Sequence, residues 1–227
     1  MNKNSFKHIA FIPARKGSKG LPLKNRLLFD ATADFLEREG WFQEIIVSTD
    51  DEYIADKAGK RGFQVHHRSP ELSCDAVSIK AVFAAALCEL NIPSDAIMWL
   101  FYLTIGYKDP DDFVTARKMI ENSSFRSVCS FVPAITHPFN CWRYDDQHAA
   151  ISQYIPNNIY RRQDLPDAWM LHHYVCCFEA SVIELLNDEL IGEKTVPFFV
   201  HKEKANMIIE IDTPAELERW RAIVQAR

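Results

Sequence analysis

The feature that most limits what this chain can fold into is a rhythm. Over its first 134 residues, short apolar runs alternate with segments of helical length. His8–Ala14, Glu44–Ser48, the FQVHHR stretch ending at Arg68, Ala96–Thr104 and the SVCSFVPA stretch starting at Ser127 each read as a strand. Between them lie helical segments at Ala31–Gly40, from Thr49 to Gly62, Ala76–Leu90 and from Asp109 to Asn122. Strands that are apolar throughout, rather than at every second residue, need cover on both faces. With a helix after each strand, the expected class is α/β, a mainly parallel sheet with helices on both faces. Acidic and hydroxyl residues open two of the helices, at Thr49-Asp50-Asp51 and Asp109-Pro110-Asp111, where they cap free N–H groups and suit the positive helix end.

The rhythm fails from Ile135 to Trp169, a stretch rich in proline, aromatics and amides. It reads as a small inserted arm with a dimer contact, or as a long active-site loop, with the arm preferred. The rhythm then resumes with a strand at Leu171–Phe178, a short helix at Ser181–Asn187, a strand at Val196–His201, a strand-like NMIIEID and a final helix from Pro214 to the end. Asp212 or Thr213 caps that helix, with Pro214 at its first position. The whole, residues 1–227, reads as a single domain long enough to bury a substantial core.

A net charge of −5 argues against a nucleic-acid surface. Six cysteines include no Cys-x-x-Cys pair. Cys74, Cys88 and Cys129 fall in patterns that read as buried, so a reduced, cytoplasmic protein without disulfides is expected. The most apolar run, Ile97–Ile105, is too short to span a bilayer, and no membrane association is expected.

Against that acidic background, FIPARKGSKGLPLKN (Phe11–Asn25) gathers Arg15, Lys16, Lys19 and Lys24 around Gly17 and Gly20. It matches neither the Walker A spacing nor Gly-x-Gly-x-x-Gly. Composition alone fits a phosphate cradle or a solvated turn equally. Position at the carboxyl end of a buried strand, where open parallel sheets bind ligands, favours the cradle. Near the other end, Glu210 and Asp212 alternate with Ile209 and Ile211, so both carboxylates share one face. Paired carboxylates repel unless a cation or a proton lies between them. Taken alone, these residues read more simply as a solvated face.

PARKGSKGLPLKN resembles the N-terminal signature of the acylneuraminate cytidylyltransferase family. VSTDDEYIA (47–55), RSPELSCD (68–75), RRQDLP (161–166) and IEIDTPAEL (209–217) agree in order and spacing. The resemblance implies a Rossmann-like nucleotide-diphospho-sugar transferase fold. It implies transfer of a cytidylyl group from CTP to an acidic, nonulosonic-acid-like sugar, with Mg²⁺ as cofactor and a homodimer formed through the arm. It further implies that Ala14, Arg15, Ser18, Lys24, Asn25 and Arg68 hold the nucleotide. Lys19 and Arg15 would act on the phosphates, and Glu210 and Asp212 would hold the metal. The family's usual first metal residue is Asp, one methylene shorter than Glu210.

The sugar side departs from the family pattern. YLTIGYKDP (102–110) puts Tyr102 and Lys108 where the family has Gln and Arg, and MLHHYVC (170–176) replaces an R-x-N-G-x-x-Y-like stretch. Tyr102, Arg162, Gln163, His172 and His173 are the candidate sugar-binding residues. Arg162 can take a carboxylate in a bidentate fork. His172 and His173, as strand neighbours, should face opposite sides, one toward the pocket and one toward the core. These departures point to an acidic sugar other than ordinary sialic acid. A nucleotide-binding relative without turnover and a glycosyltransferase of similar fold are the alternatives.

Overall fold

A computed structural model of the chain describes residues 6–17 and 20–225. The strands are β1 (His8–Pro13), β2 (Glu44–Thr49), β3 (Gln64–His67), β4 (Ile97–Leu100), β5 (Ser127–Pro133), β6 (Trp142–Asp145), β7 (Ala150–Gln153), β8 (Trp169–Glu179) and β9 (Val196–Phe199). The helices are α1 (Lys24–Glu39), α2 (Glu52–Lys60), α3 (Ile79–Glu89), α4 (Pro110–Asn122), α5 (Lys202–Ala205) and α6 (Pro214–Gln225). Seven strands form one sheet in the order β3-β2-β1-β4-β8-β5-β9. Every pairing in it is parallel except those of β8, which runs antiparallel to both β4 and β5.

The apolar strands are buried on both faces, as their composition requires. Ala10, Ile12, Val47, Ile97 and Trp99 join a core on one face with residues of α1, α2, α4 and α6. Ile9, Phe11, Ile46, Met98 and Leu100 join a second core on the other face with Val82, Phe83 and Ala86 of α3. Each such side chain contributes about 1.5–3 kcal/mol by leaving water. Helices therefore cover both faces, unevenly. No helix among the described residues is long and apolar enough to cross a membrane.

Several boundaries differ from the sequence expectation. α1 begins at Lys24 rather than Ala31, burying Leu28 and Phe29 in its first half. Its start carries no side-chain cap, and Leu23 before it adopts a left-handed backbone with φ 56°, so the usual sequence signal is missing. The segment Ser181–Asn187 forms a 3-10 turn over Ala180–Leu185. NMIIEID is not a full strand. It makes a single bridge, Glu210 with Ile105, and Ile211 N–H donates to the Thr104 carbonyl at 2.9 Å. All six cysteines are free, but Cys74 and Cys88 are exposed and only Cys129 of the three expected inside is buried. Cys74 lies on the loop after a 3-10 turn, and Cys88 lies on the outer side of α3.

The arm region contains a separate antiparallel hairpin of β6 and β7, in which Tyr144 pairs with Ile151. Tyr144, Ile151, Tyr154 and Tyr160 are exposed there. β8 carries a bulge opposite Cys129 and Ser130, where Ser130 pairs with His172 and Cys129 with Cys176. The Ser130 hydroxyl spans it, donating to the His172 carbonyl and accepting from Val175 N–H at 2.9 Å.

Candidate active site

The carboxyl ends of β1, β2 and β3 are tied together by hydrogen bonds from the residues just beyond or at those ends. Ala14 N–H donates to the Ser48 carbonyl at 2.8 Å, and Arg68 N–H to the Thr49 carbonyl at 2.9 Å. The Thr49 hydroxyl donates to the Ala14 carbonyl at 2.5 Å. Asp51 of the expected capping stretch then caps α2 by accepting from Tyr53 N–H at 3.0 Å. Arg26 grips the Asp51 carboxylate with two hydrogen bonds of 2.7 and 2.8 Å.

Above these strand ends lies a cleft of about 550 Å³. One wall is the basic loop with the start of α1, giving Arg15, Gly17, Gly20, Lys24 and Asn25. The facing wall is Glu210 and Asp212. Arg68, Cys74, Asp75, Tyr102 and Thr104 complete the polar part of the lining, while Leu72, Val77, Ile79 and Val82 give an apolar side. β1 and β4 are neighbours in the sheet, and the bridge from Ile105 to Glu210 brings the C-terminal segment to them. Gly20 touches that segment: a Cβ at this position would stand 2.5 Å from the Asp212 carbonyl oxygen. α1 has no acidic residue in its first turn, so its positive end adds to the basic wall.

Four sequence-predicted nucleotide residues, Arg15, Lys24, Asn25 and Arg68, meet in this cleft together with Tyr102, Glu210 and Asp212. Ala14 contributes through its main chain and is buried. Ser18 and Lys19 lie outside the described residues. Arg15 pairs with Asp75, and Lys24 with Asp212. The Asn25 amide donates to the Arg15 carbonyl at 2.8 Å, fixing the loop's entry into α1. Arg68 is the most enclosed of the cations. Burial lowers its pKa to about 10. Its Nη2 is buried and has no partner among the described residues.

The acidic pair reads clearly. Ile209 and Ile211 are buried while Glu210 and Asp212 face out, as alternation predicts. The α6 cap is Thr213. Its N–H donates to Glu216 at 2.8 Å and its hydroxyl accepts from Glu216 N–H at 3.3 Å, a reciprocal capping box. Asp212 is thereby left to face the cleft. Burial, and then the charge of Asp212, push the Glu210 carboxyl above the ordinary carboxylate range. Two hard oxygen donors, destabilised by each other's charge and facing an open cleft, fit a small divalent cation such as Mg²⁺.

The sugar-side candidates do not converge in the same way. Arg162 and Gln163 sit on an exposed 3-10 turn and do not line the cleft. His172 and His173 lie on β8 behind the lining. Leu171 and His173 both meet the second core, so the alternation expected of the pair holds, and the bulge breaks it only at Tyr174 and Val175, which both join the first core. His173 meets the Tyr102 ring edge-on at 5.6 Å and its Nε2 bonds the Glu189 carbonyl at 2.9 Å. His172 has a buried Nδ1 without a partner, and burial, then His173, lowers its pKa to about 4. Both histidines therefore support the wall rather than form it. A ring nitrogen of His173 also lies within 4.8 Å of the thiols of Cys129 and Cys176, two cysteines buried in the second core. Lys108 turns inward, donating to Thr32 Oγ1 at 3.0 Å and to the Ile105 carbonyl at 2.5 Å. Burial lowers its pKa to about 7.

Asp75, the partner of Arg15, was not singled out from sequence, although it ends the RSPELSCD stretch. Ser48 and His66, which stand behind Arg68, were also missed. Neither carries a local pattern, because they meet across two strands.

Comparison with known proteins agrees with this geometry. Residues 9–98 match the model of a family described as "Cytidylyltransferase". The N-acylneuraminate cytidylyltransferase of Streptococcus agalactiae serotype V is 31% identical over 167 residues, covering 70% of this chain and 40% of that protein. The chain thus spans 40% of the length of that relative. The CMP-N,N'-diacetyllegionaminic acid synthase of Legionella pneumophila is 26% identical over 220 residues, 92% of each chain. Among solved structures, a CMP:2-keto-3-deoxy-manno-octonic acid synthetase complexed with CTP superposes with a TM-score of 0.69 over 97% of this chain and 99% of the other, at 17% identity. The 4-diphosphocytidyl-2C-methyl-D-erythritol synthase of Anaerococcus prevotii gives 0.64 at 15% identity, again over 97% and 99%. The fold is theirs, and the expected Rossmann-like α/β architecture holds.

Proposed function

We propose that the chain, which matches the cytidylyltransferase family model over residues 9–98, transfers a cytidylyl group from CTP to an acidic, nonulosonic-acid-like sugar. The observation that carries this reading is the single cleft lined by Arg15, Lys24 and Arg68 on one side and by Glu210 and Asp212 on the other. A sugar hydroxyl attacks the α-phosphorus of CTP, a new P–O bond forms, the α–β phosphoanhydride breaks and pyrophosphate leaves. The hydroxyl proton passes to solvent. Negative charge grows on the leaving group, so fixed cations and backbone donors lower the barrier.

Arg15, Lys24 and the start of α1 would meet the phosphates, with Lys19 and Ser18 of the same loop as further candidates. Arg68 would meet the nucleotide from the cleft wall. Glu210 and Asp212 would hold Mg²⁺, which when bound neutralises phosphate charge. The sugar would enter beside Tyr102. The acidic-sugar class draws support from the names of the streptococcal and Legionella relatives and from Arg162 and Gln163 of the arm. Those two require the arm, or a second copy of it, to approach the cleft. The exposed aromatics of the hairpin fit a homodimer contact.

Pyrophosphate release from CTP and Mg²⁺, measured against a panel of acidic sugars, tests the reading. The expected result is turnover with an acidic sugar other than ordinary sialic acid. Highest activity with sialic acid would overturn the sugar assignment. Tight CTP binding with no turnover on any sugar would favour a nucleotide-binding protein without catalysis, the reading that the altered Tyr102 and His172 positions motivate.

A further inference from the structure

Arg68 does not stand alone at the cleft wall. Its Nε–H donates to the Ser48 hydroxyl oxygen at 2.8 Å. That oxygen lies 2.8 Å from Nδ1 of His66, and Nε2 of His66 lies 3.2 Å from a carboxylate oxygen of Glu89. Ser48 and His66 are register partners on β2 and β3, and both are buried, at 0% and 1% exposure.

The direction of donation along this chain is fixed by chemistry. A guanidinium Nε–H only donates. Ser48 Oγ accepts from it and turns its own proton toward His66. Nε2 of His66 faces a carboxylate, which only accepts, so a neutral ring carries its proton there and Nδ1 accepts from Ser48. Every donor in the chain meets an acceptor only while His66 is neutral. A proton on Nδ1 would make Ser48 Oγ accept twice and turn its own proton away from the ring in a buried site, and would set a second cation near Arg68.

We propose that His66 is a positioning residue: through the Ser48 hydroxyl it aims the Arg68 guanidinium into the cleft, so that nucleotide binding requires His66 to be neutral. Arg68 lines the cleft, and the part of its guanidinium that faces the cleft would meet a polar group of the bound nucleotide. This inference rests on the CTP reading above. The charged and titratable groups around His66 are Glu89 from α3, and Arg68 and His67 from its own segment. Burial is the largest influence and lowers the His66 pKa, Glu89 raises it, and Arg68 and His67 lower it. Acid protonation of His66 therefore falls below its ordinary value.

The test is CTP affinity by calorimetry, with Mg²⁺ present, as a function of pH. It compares wild type with His66→Leu, His66→Asn, Ser48→Ala and Glu89→Gln. The ratio of variant to wild-type affinity cancels the protonation of CTP itself. At neutral pH, His66→Leu and Ser48→Ala should each weaken CTP binding about three- to ten-fold. His66→Asn, whose amide oxygen can stand in for Nδ1, should recover most of that loss and remove the excess weakening at acid pH. Glu89→Gln, at an exposed position, should move the acid limb to lower pH. A wild type that binds no CTP overturns the function reading along with this inference. A wild type that binds CTP, with all four variants showing its affinity and its pH profile, overturns this inference alone. If His66→Leu does not fold, the exposed Glu89→Gln decides: an unmoved acid limb counts against the proposal.

Discussion

Lys24 and Asp212, 188 residues apart in the chain, form an ion pair at the cleft. The contact joins the start of the first helix to the segment that leads into the last. Each partner has a second task in the proposed reaction, Lys24 toward phosphate and Asp212 toward metal. Bound nucleotide and cation must therefore take over charges that now neutralise each other.

Asp212→Asn keeps the shape and removes one carboxylate charge. The Mg²⁺ concentration for half-maximal pyrophosphate release should rise at least about tenfold, with little change in melting temperature because the side chain is largely exposed. A titration identical to wild type would remove Asp212 from the metal site.

Gly20→Ala tests how closely the loop must approach the C-terminal segment. The added Cβ would lie 2.5 Å from a backbone oxygen of Asp212, so one of the two segments must move. The expected cost is about 1–3 kcal/mol of stability and, through misplacement of the phosphate-binding groups, on the order of 100-fold in kcat/KM. Thermal melting and steady-state kinetics read the two effects separately.

Glu210 gives a pH dependence of definite sign. Burial and the Asp212 charge raise its folded-state pKa above the unfolded one. The folded protein thus holds this proton to higher pH. The stability the group contributes is complete below its unfolded value and is lost as pH rises through the raised folded value. A divalent cation binds only the ionised form, so Mg²⁺ should raise the melting temperature more at about pH 8 than at about pH 5. Glu210→Gln should flatten that difference.

The hairpin of β6 and β7 presents Tyr144 at 65% and Ile151 at 67% exposure, paired across the two strands. A charge in that patch should abolish a dimer made through it. Wild type should elute at the mass of two chains in light-scattering chromatography, and Ile151→Asp at the mass of one. Identical masses for the two would remove the hairpin from the interface.

Legibility in the sequence followed the range of the interactions involved. The doubly covered sheet was readable because Ile9 and Phe11 must be buried as fully as Ala10 and Ile12. The shared outward face of Glu210 and Asp212 was readable because alternation acts within three residues. The start of α1 was not, because Leu23 takes a left-handed backbone in place of a capping side chain. The antiparallel course of β8 left no local mark, since an apolar strand reads alike in either direction. The bulge opposite Ser130 left no local mark either: it sets neighbouring Tyr174 and Val175 in the same core. The group behind Arg68 escaped notice because Ser48, His66 and Glu89 come from three different elements.

The position of β8 bears on how the protein is made. β4 and β5 follow each other in sequence but are separated in the sheet by β8, which is not complete until Glu179. A chain emerging from the ribosome therefore carries one unpaired edge on β4 and two on β5 for as long as the later strands take to synthesise. Such edges are ready templates for pairing with other chains, and contacts this distant in sequence close slowly. Nascent chains stalled before residue 169 would be a natural client for a chaperone that shields exposed strands.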